Sequence, residues 1–395
     1  MTTVSMSRNV HPDGVDEGKL VIVWRRVVVL DSRPHSDGVG HVPENFRVKI
    51  NLRVIGVVLM IASVLLALAS HSLAQSVDPS PVTSIFQPRS TQADALFRYS
   101  LLILSITGAI FVVVASLLAY AVVRFRQRPG DELVEPPQIY GSDQVEIAWT
   151  VIPVLIVVTM ALATARTVYQ IQAAPVPPGA LEVTVIGRQW WWEFRYPSLG
   201  IVTANELHVP VSDPARPTPT FLRLLSADVA HSFWVPRLAG KTDLIPNREN
   251  RMWMDPREPG LYLGQCAEYC GTQHAKMLLR VYVHPRQEFE AWAAAQKREA
   301  ASSPEAASGR RVFERTACIN CHAVGGTAAN GRFGPNLTHL MSRDTLASGA
   351  VKNDPESLRI WIQNPDHFKP GSLMPAMKLR DPELDQLVAY LLTLR

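Results

Sequence analysis

Three long apolar runs interrupt the first half of the chain, and short alternating segments fill much of the second. The runs are Val54 to Ala69, Leu101 to Val123 and Ile147 to Ala163. The first follows Lys49 and Arg53 and leads into SLAQ, Ser72 to Gln75. A basic flank, an apolar core and small residues before a polar one predict a secretory signal over residues 50–74, cut after Ala74. An uncleaved membrane anchor is the alternative, and both readings put the chain outside the cytoplasm after residue 75. The second and third runs predict membrane helices at about 98–124 and 146–170, forming a hairpin within residues 75–172. Arg124, Arg126 and Arg128 follow the second run, so the positive-inside bias places the loop between the helices in the cytoplasm. Pro153 lies inside the third run, where a membrane bundle tolerates it. Residues 1–49 show no periodicity. They read as disordered or as a non-native extension, and Arg25-Arg26 resembles a twin-arginine signal only weakly.

Past Ala174 the period changes. LEVTVIGRQWWWEF, TFLRLLSA, RMWMD, GLYLGQC and KMLLRVYVHP are short, rich in β-branched and aromatic residues, and broken by Pro and Gly. They predict a small antiparallel β-barrel or sandwich over residues 174–287. QEFEAWAAAQKREAASSPEAASG is helix-prone and runs into a Ser/Ala/Pro linker, residues 288–304. The last segment, 305–395, reads as helical. Asp354-Pro355 and Asp381-Pro382 each offer an N-cap with Pro at the first helical position. Leu384, Leu387, Val388 and Leu391 then fall on one helix face.

A length of 395 residues allows two or three domains, and a net charge of +4 gives no reason to expect nucleic acid. The four cysteines change the picture more. They fall in two tight pairs, Cys266/Cys270 and Cys318/Cys321, which points to ligation or cofactor attachment, with two local disulfides as the alternative.

The first pair sits in GQCAEYCGTQHAKM, Gly264 to Met277. Thiolate, imidazole and thioether together suit copper in electron transfer. Two thiolates can bridge two copper ions, each of which then needs an imidazole. His274 supplies one, and His231 in ADVAHSFWVP is a candidate for the other. A structural zinc site of Cys266, Cys270, His274 and His231 competes; a thioether at Met277 favours copper, although a Met before LLRV also suits a core. The second pair lies in CINCH, Cys318 to His322, the attachment motif of c-type haem, with His322 as proximal ligand. A redox dithiol is the alternative. KPGSLMPAM downstream offers an axial thioether, and Met/His ligation raises a haem potential.

The copper loop, the preceding hairpin, and the segments VEIAWTVIP, GRQWWWEFRY, SADVAHSFWVP and LAGKTDLIPNREN, in that order, resemble cytochrome c oxidase subunit II over about residues 90–285. The resemblance implies a cupredoxin fold and a binuclear copper centre, CuA. It makes Cys266 and Cys270 bridging ligands, with His231 and Met277 completing one copper and His274 and the Glu268 carbonyl the other. The Glu268 carboxylate is implied as a ligand of a Mg²⁺ shared with the catalytic subunit. Trp190 corresponds to the point where electrons enter, against the plainer reading of the triple Trp as alternately core and surface. Glu146 resembles a carboxylate at the mouth of a proton channel, against an interfacial solvated Glu. Asp228 and Asp243 are remnants of an acidic docking patch or ordinary turn residues.

Residues 305–395 resemble a class I cytochrome c. That makes Cys318 and Cys321 the thioether links of a covalent haem c. Pro335, in FGPNL, steadies the proximal His322, and Met374 is the axial ligand, with Met377 as rival. His339 reads as surface or core. Copper domain followed by cytochrome is the pattern of caa-type oxidases. The implied whole is a multidomain membrane protein: a two-helix transmembrane hairpin, a cupredoxin-like β-barrel, then an all-α cytochrome c domain. It implies a place in a bacterial inner membrane, with both redox domains outside. The implied partners are the catalytic haem-copper subunit I, other oxidase subunits, a cytochrome c or another upstream donor, and membrane lipid. The alternatives are the copper subunit of a nitric oxide reductase, a tethered copper-delivery protein, and a structural zinc module.

Overall fold

The computed structural model describes residues 83–126, 138, 140–172, 176, 179–213, 217–300 and 303–395. The extension 1–49, the signal segment 50–74 and Arg128 lie outside the described residues.

Helices α1 (Thr91–Arg124) and α2 (Asp143–Gln172) are long and apolar enough to cross a membrane. Their side chains are largely bare, Val123 for instance 78 % exposed, and an apolar surface of that extent belongs in lipid. Both begin earlier than the apolar runs predict, because hydropathy does not register a polar first turn. At α1 that turn is held by caps. The Ser90 hydroxyl accepts the Ala93 N–H at 3.1 Å, and the Thr91 N–H donates to Asp255 at 2.9 Å. Each satisfies a donor that a helix start leaves without a partner. At the same end of the hairpin, where α2 closes, the Trp253 indole N–H donates to the Ile171 carbonyl at 2.6 Å. Tyr99 and Thr164 join the two helices through their hydroxyls at 2.6 Å.

The β-domain contains β1 (Glu182–Arg188), β2 (Trp191–Tyr196), β3 (Ile201–Ala204), β4 (Glu206–Pro210), β5 (Thr220–Ser226), β6 (His231–Trp234), β7 (Thr242–Leu244), β8 (Asn250–Met254), β9 (Gly260–Cys266) and β10 (Leu278–His284). One sheet runs β3-β2-β1-β5-β8, the other β4-β10-β9-β6-β7. The antiparallel expectation needs correction: β1 pairs with β5 and β4 with β10 in parallel. The chain leaves the first sheet after β3 and joins the second as β4, so β5 returns beside β1 pointing the same way. Val183, Val185, Trp192 and Phe194 of one sheet pack against Leu207, Phe233, Leu279 and Val281 of the other. Cys266, Cys270 and Met277 belong to that same core.

The expected linker 288–304 is partly structured. Helix α3 (Arg286–Gln296) buries Phe289 and Ala293 and lays Trp292 on the barrel core, an apolar stripe at helical spacing. The cytochrome domain follows, with α4 (Ala307–Arg315), α5 (Cys318–Cys321), α6 (Pro355–Gln363) and α7 (Asp381–Leu391). A two-residue hairpin, β11 (Thr345–Leu346) with β12 (Val351–Lys352), adds to the expected helices. Helices α4 and α7 cross at Gly309, where a Cβ would meet the Gln386 carbonyl oxygen at 1.9 Å. Leu384, Leu387, Val388 and Leu391 are buried there as the periodicity predicts. Asp354 caps α6, accepting the Ser357 N–H at 2.8 Å. At α7 the cap position is Arg380, and Asp381 already lies within the helix.

Candidate metal and haem centres

Strand β9 ends on Cys266 and β10 begins at Leu278, so Cys270, His274 and Met277 ride on one tight connection. It is closed by the Cys266 N–H donating to the Met277 carbonyl at 3.0 Å. Strand β6 lies beside β9, with Phe233 opposite Cys266, and this brings in His231 from 35 residues earlier. The Cys266 sulfur lies 3.8 Å from the Cys270 sulfur, 3.9 Å from His231 Nδ1 and 3.2 Å from the Glu268 carbonyl. The Cys270 sulfur lies 3.7 Å from His274 Nδ1 and 3.8 Å from the Met277 sulfur. His231 and Met277 are fully buried. Soft atoms gathered at these separations under cover, with one another as their main polar neighbours, fit thiolate-ligated copper. Gly187 makes room for the ring of His231, since a Cβ there would come within 2.7 Å of its Cδ2. All four cysteines are free thiols, so the local disulfides do not form.

Asp228 has a role that the sequence reading missed. Its carboxylate lies 2.7 Å from His231 Nε2 and accepts the Gln189 and Val229 N–H groups at 2.7 Å each. A carboxylate on the far nitrogen fixes ring and tautomer, leaving Nδ1 toward the sulfurs. The three-residue spacing in DVAH was the available signal. Burial works against a charged His231, but its bonds to Asp228 and Cys266 outweigh it and hold the ring above its ordinary value. The hydrogen bond from the Cys270 thiol, against burial, holds Cys266 below its ordinary value, which favours a thiolate ready for metal. Asp243 stands opposite Ser232 in the β6–β7 pair, and its carbonyl accepts from Asn250.

Trp190 touches the same loop. Its indole N–H donates to the Cys270 carbonyl at 2.9 Å, beside the Gln189 amide at 2.8 Å. Trp192 is core, whereas Trp190 and Trp191 are partly buried. The Glu268 side chain is exposed. Glu146 stands exposed in the first turn of α2, at the end away from the barrel.

In the cytochrome domain, α5 presents Cys318 and Cys321, both half-buried. His322 Nδ1 lies 2.8 Å from the Pro335 carbonyl. The ring therefore donates Nδ1–H and turns the Nε2 lone pair outward. Burial holds His322 below its ordinary value, the Pro335 carbonyl opposing, and a neutral imidazole is the form that binds metal. Gly334 crosses the ring face so closely that a Cβ would meet His322 Cε1 at 2.5 Å. Two thiols, a neutral imidazole and a glycine-lined approach fit a covalent haem. Met374 and Met377 are both partly buried against the domain core. His339 is buried, with Nε2 3.1 and 3.0 Å from the carbonyls of Gln296, the last residue of α3, and Arg298 just past it.

The two domains are in direct contact. The buried Glu206 carboxylate accepts the N–H groups of Asp344 and Thr345 at 2.9 and 3.0 Å and the Thr345 hydroxyl at 3.1 Å. The Tyr282 hydroxyl donates to Asp344. Ser348 and Leu278 exchange two hydrogen bonds. On the copper loop, Gln273 donates to the Pro370 carbonyl and Lys276 to the Phe368 carbonyl at 2.6 Å.

Three family profiles match successive parts of the chain. They are "Cytochrome C oxidase subunit II, transmembrane domain" over residues 79–166, "Cytochrome C oxidase subunit II, periplasmic domain" over 203–283, and "Cytochrome c" over 306–395. Cytochrome c oxidase subunit 2 of Alkalihalophilus pseudofirmus is 34 % identical, across 78 % of this chain and 90 % of the relative. The Bacillus subtilis protein of the same name is 32 % identical, across 83 % of this chain and 96 % of its own. Among solved structures, the periplasmic domain of cytochrome oxidase subunit II of Bradyrhizobium japonicum is 30 % identical. It covers 31 % of this chain and 97 % of its own, with a TM-score of 0.29.

Proposed function

Because the chain belongs to the cytochrome c oxidase subunit II family and carries a cytochrome c domain behind it, we propose that the residues gathered above hold its two redox groups. It is the subunit of that oxidoreductase through which electrons enter, a membrane protein that works with the other oxidase subunits. Its family implies CuA copper and haem c; when bound, these supply one-electron chemistry. Oxygen is reduced in another subunit.

In this reading Cys266 and Cys270 bridge two copper ions. His231 and Met277 serve one, His274 and the Glu268 carbonyl the other, and Asp228 keeps His231 aimed. Cys318 and Cys321 would tether the haem, His322 would bind its iron with Pro335 steadying the ring, and Met374 would supply a thioether to it. Trp190 bridges the cytochrome side to the Cys270 backbone, which suits a place on the electron path. The exposed Glu268 carboxylate is free to share a Mg²⁺ with the catalytic subunit. Glu146, on the membrane face opposite the redox domains, is suited to admit protons. The redox domains stand outside a bacterial membrane, the helix hairpin in lipid, and a cytochrome c or similar carrier reduces the fused domain.

The carrying observation is the buried cluster of His231, Cys266 and Cys270, whose ligand atoms lie within 4.8 Å of one another. The test is metal analysis with EPR on the purified chain. Two coppers sharing one unpaired electron are expected, lost in Cys270→Ser and retained at a shifted potential in Met277→Leu. No more than one copper per fully occupied chain, or zinc in its place, would overturn the reading.

A further inference from the structure

Lys369 lies five residues before Met374 in the cytochrome domain, and it is only 3 % exposed. Its ammonium donates to two carbonyls, that of Trp190 in the copper domain at 2.6 Å and that of Ala347 in its own domain at 3.1 Å. Trp190 in turn donates its indole N–H to the Cys270 carbonyl at 2.9 Å. One residue therefore separates the ammonium from a sulfur-bearing residue of the copper cluster. The backbone around Lys369 is held in the opposite sense. The carbonyls on either side of it, Phe368 and Pro370, accept from Lys276 and Gln273 of the copper loop. Gly371 then passes Thr272, where a Cβ would sit 3.8 Å from the Thr272 methyl.

A lysine buried among neutral carbonyls is costly, and Met or Gln would fill the same space more cheaply. Among the described residues its polar partners are those two carbonyls, with no carboxylate paired to it. Burial pulls the ammonium down to about 7, and the charge of Lys276 adds to that fall.

We infer that Lys369 is a positioning residue for electron transfer between the two domains: it clamps Trp190 against the cytochrome loop and places a positive charge that favours the reduced copper pair. The inference rests on the ligand assignment proposed above. The transfer it serves moves one electron and no atom: iron goes from +2 to +3 as the copper pair gains one electron. Two bridging thiolates leave that pair one unit more positive when oxidised than when reduced. A neighbouring cation therefore disfavours the oxidised form. Charges within about 12 Å at an effective dielectric near 20 change such an equilibrium about tenfold.

The test uses the full copper- and haem-loaded chain in detergent, comparing the parent with Lys369→Gln, Lys369→Met and Lys369→Arg. Copper count and the EPR spectrum are read first. If the parent lacks a two-copper signal, the ligand assignment fails, and with it the inference. With that signal present, spectroelectrochemical titration at about pH 6, where the ammonium is charged, decides on Lys369 itself. Lys369→Gln should shift the copper equilibrium about tenfold toward oxidised, about 59 mV for one electron. The haem potential should move less, and Lys369→Arg should restore most of the copper shift. Lys369→Met, which introduces no new polar group, should repeat the Gln result and stands in for it should that variant not accumulate. A copper equilibrium within twofold of the parent in the neutral variants, or Arg indistinguishable from them, would overturn the inference.

Discussion

Glu206→Ala isolates the contact between the domains from the chemistry on either side, since Glu206 touches none of the metal-binding groups. Its carboxylate is 1 % exposed and satisfies two backbone N–H groups and one hydroxyl of the cytochrome domain. Burial raises its pKa, while the bonds from Asp344 and Thr345 and the charge of Arg343 pull the other way. Arg343 is itself 8 % exposed, and burial brings its guanidinium down to about 10 against the pull of Glu206. Truncating Glu206 leaves these donors without an acceptor and the guanidinium without its counter-charge. Each buried donor left unsatisfied costs about 1–3 kcal/mol, and the longer-range attraction between Glu206 and Arg343 is lost as well. Water reaching the opened interface recovers part of the sum, so docking should weaken by roughly 3–5 kcal/mol. Even the lower value is about a hundredfold in the docking equilibrium. Hydrogen–deuterium exchange reads it directly. The amides of Asp344, Thr345 and Leu278 should exchange at least about a hundredfold faster, and protease should cut more readily near residues 297–303, with copper and haem contents unchanged. Glu206→Gln, which keeps the shape and one acceptor oxygen, should fall between. Exchange at Asp344 and Thr345 within threefold of the parent in Glu206→Ala would refute the reasoning.

Two further perturbations address the sites and the barrel. Gly334→Ala places a Cβ about where the His322 ring lies, 2.5 Å from Cε1, so the ring must tilt off the Pro335 carbonyl; the low-spin haem spectrum should be lost or broadened while the two-copper EPR signal persists. His208 is stacked on Trp292 and Tyr282, and burial, then the positive charges of His284 and Arg343, hold it down at about 3. A depressed histidine stabilises the fold fully above its ordinary pKa near 6.5 and loses that contribution as pH falls toward 3. The slope is up to about 1.4 kcal/mol per pH unit. Denaturant unfolding of the metal-free, solubilised chain should therefore lose roughly 2 kcal/mol between pH 6.5 and 5, and His208→Gln should flatten that decline; equal slopes would refute it.

What could be read from the residues was whatever local spacing determines. A membrane helix is specified by its own apolar length, a haem attachment by five consecutive residues, and a copper loop by donors within twelve. The two helices reappear in the fold with boundaries moved by polar first turns, because hydropathy sees side chains and not the caps that anchor Thr91 to Asp255. Features set by distant partners were not legible. The parallel β1–β5 pairing depends on a crossover through the other sheet. The carboxylate of Asp228 acquires its role only once His231 is turned back toward it. Trp292 sits in a helix that composition marks as linker, and its burial requires the barrel to be present.

The two charged groups at the domain contact show the limit most clearly. In ELHVP, Glu206 opens a strand and invites the reading of a solvated edge; it is buried because Asp344, 138 residues away, settles over it. In KPGSLMPAM, Lys369 looks like one more surface lysine ahead of Met374, and its cover comes from Trp190, 179 residues away. Long charged side chains are normally exposed, and a single sequence offers no period that would reveal the exception. Burying a carboxylate and an ammonium on the same contact is expensive unless each meets fixed partners. Glu206 meets backbone N–H groups, and Lys369 meets backbone carbonyls. Backbone groups at Asp344 and Thr345, and those of Trp190 and Ala347, cannot rotate away as side chains can. The contact therefore accepts only a narrow range of relative positions. A narrow range is what one-electron transfer over a protein gap requires, because misplacement by about an ångström is enough to slow a reaction that depends on positioning.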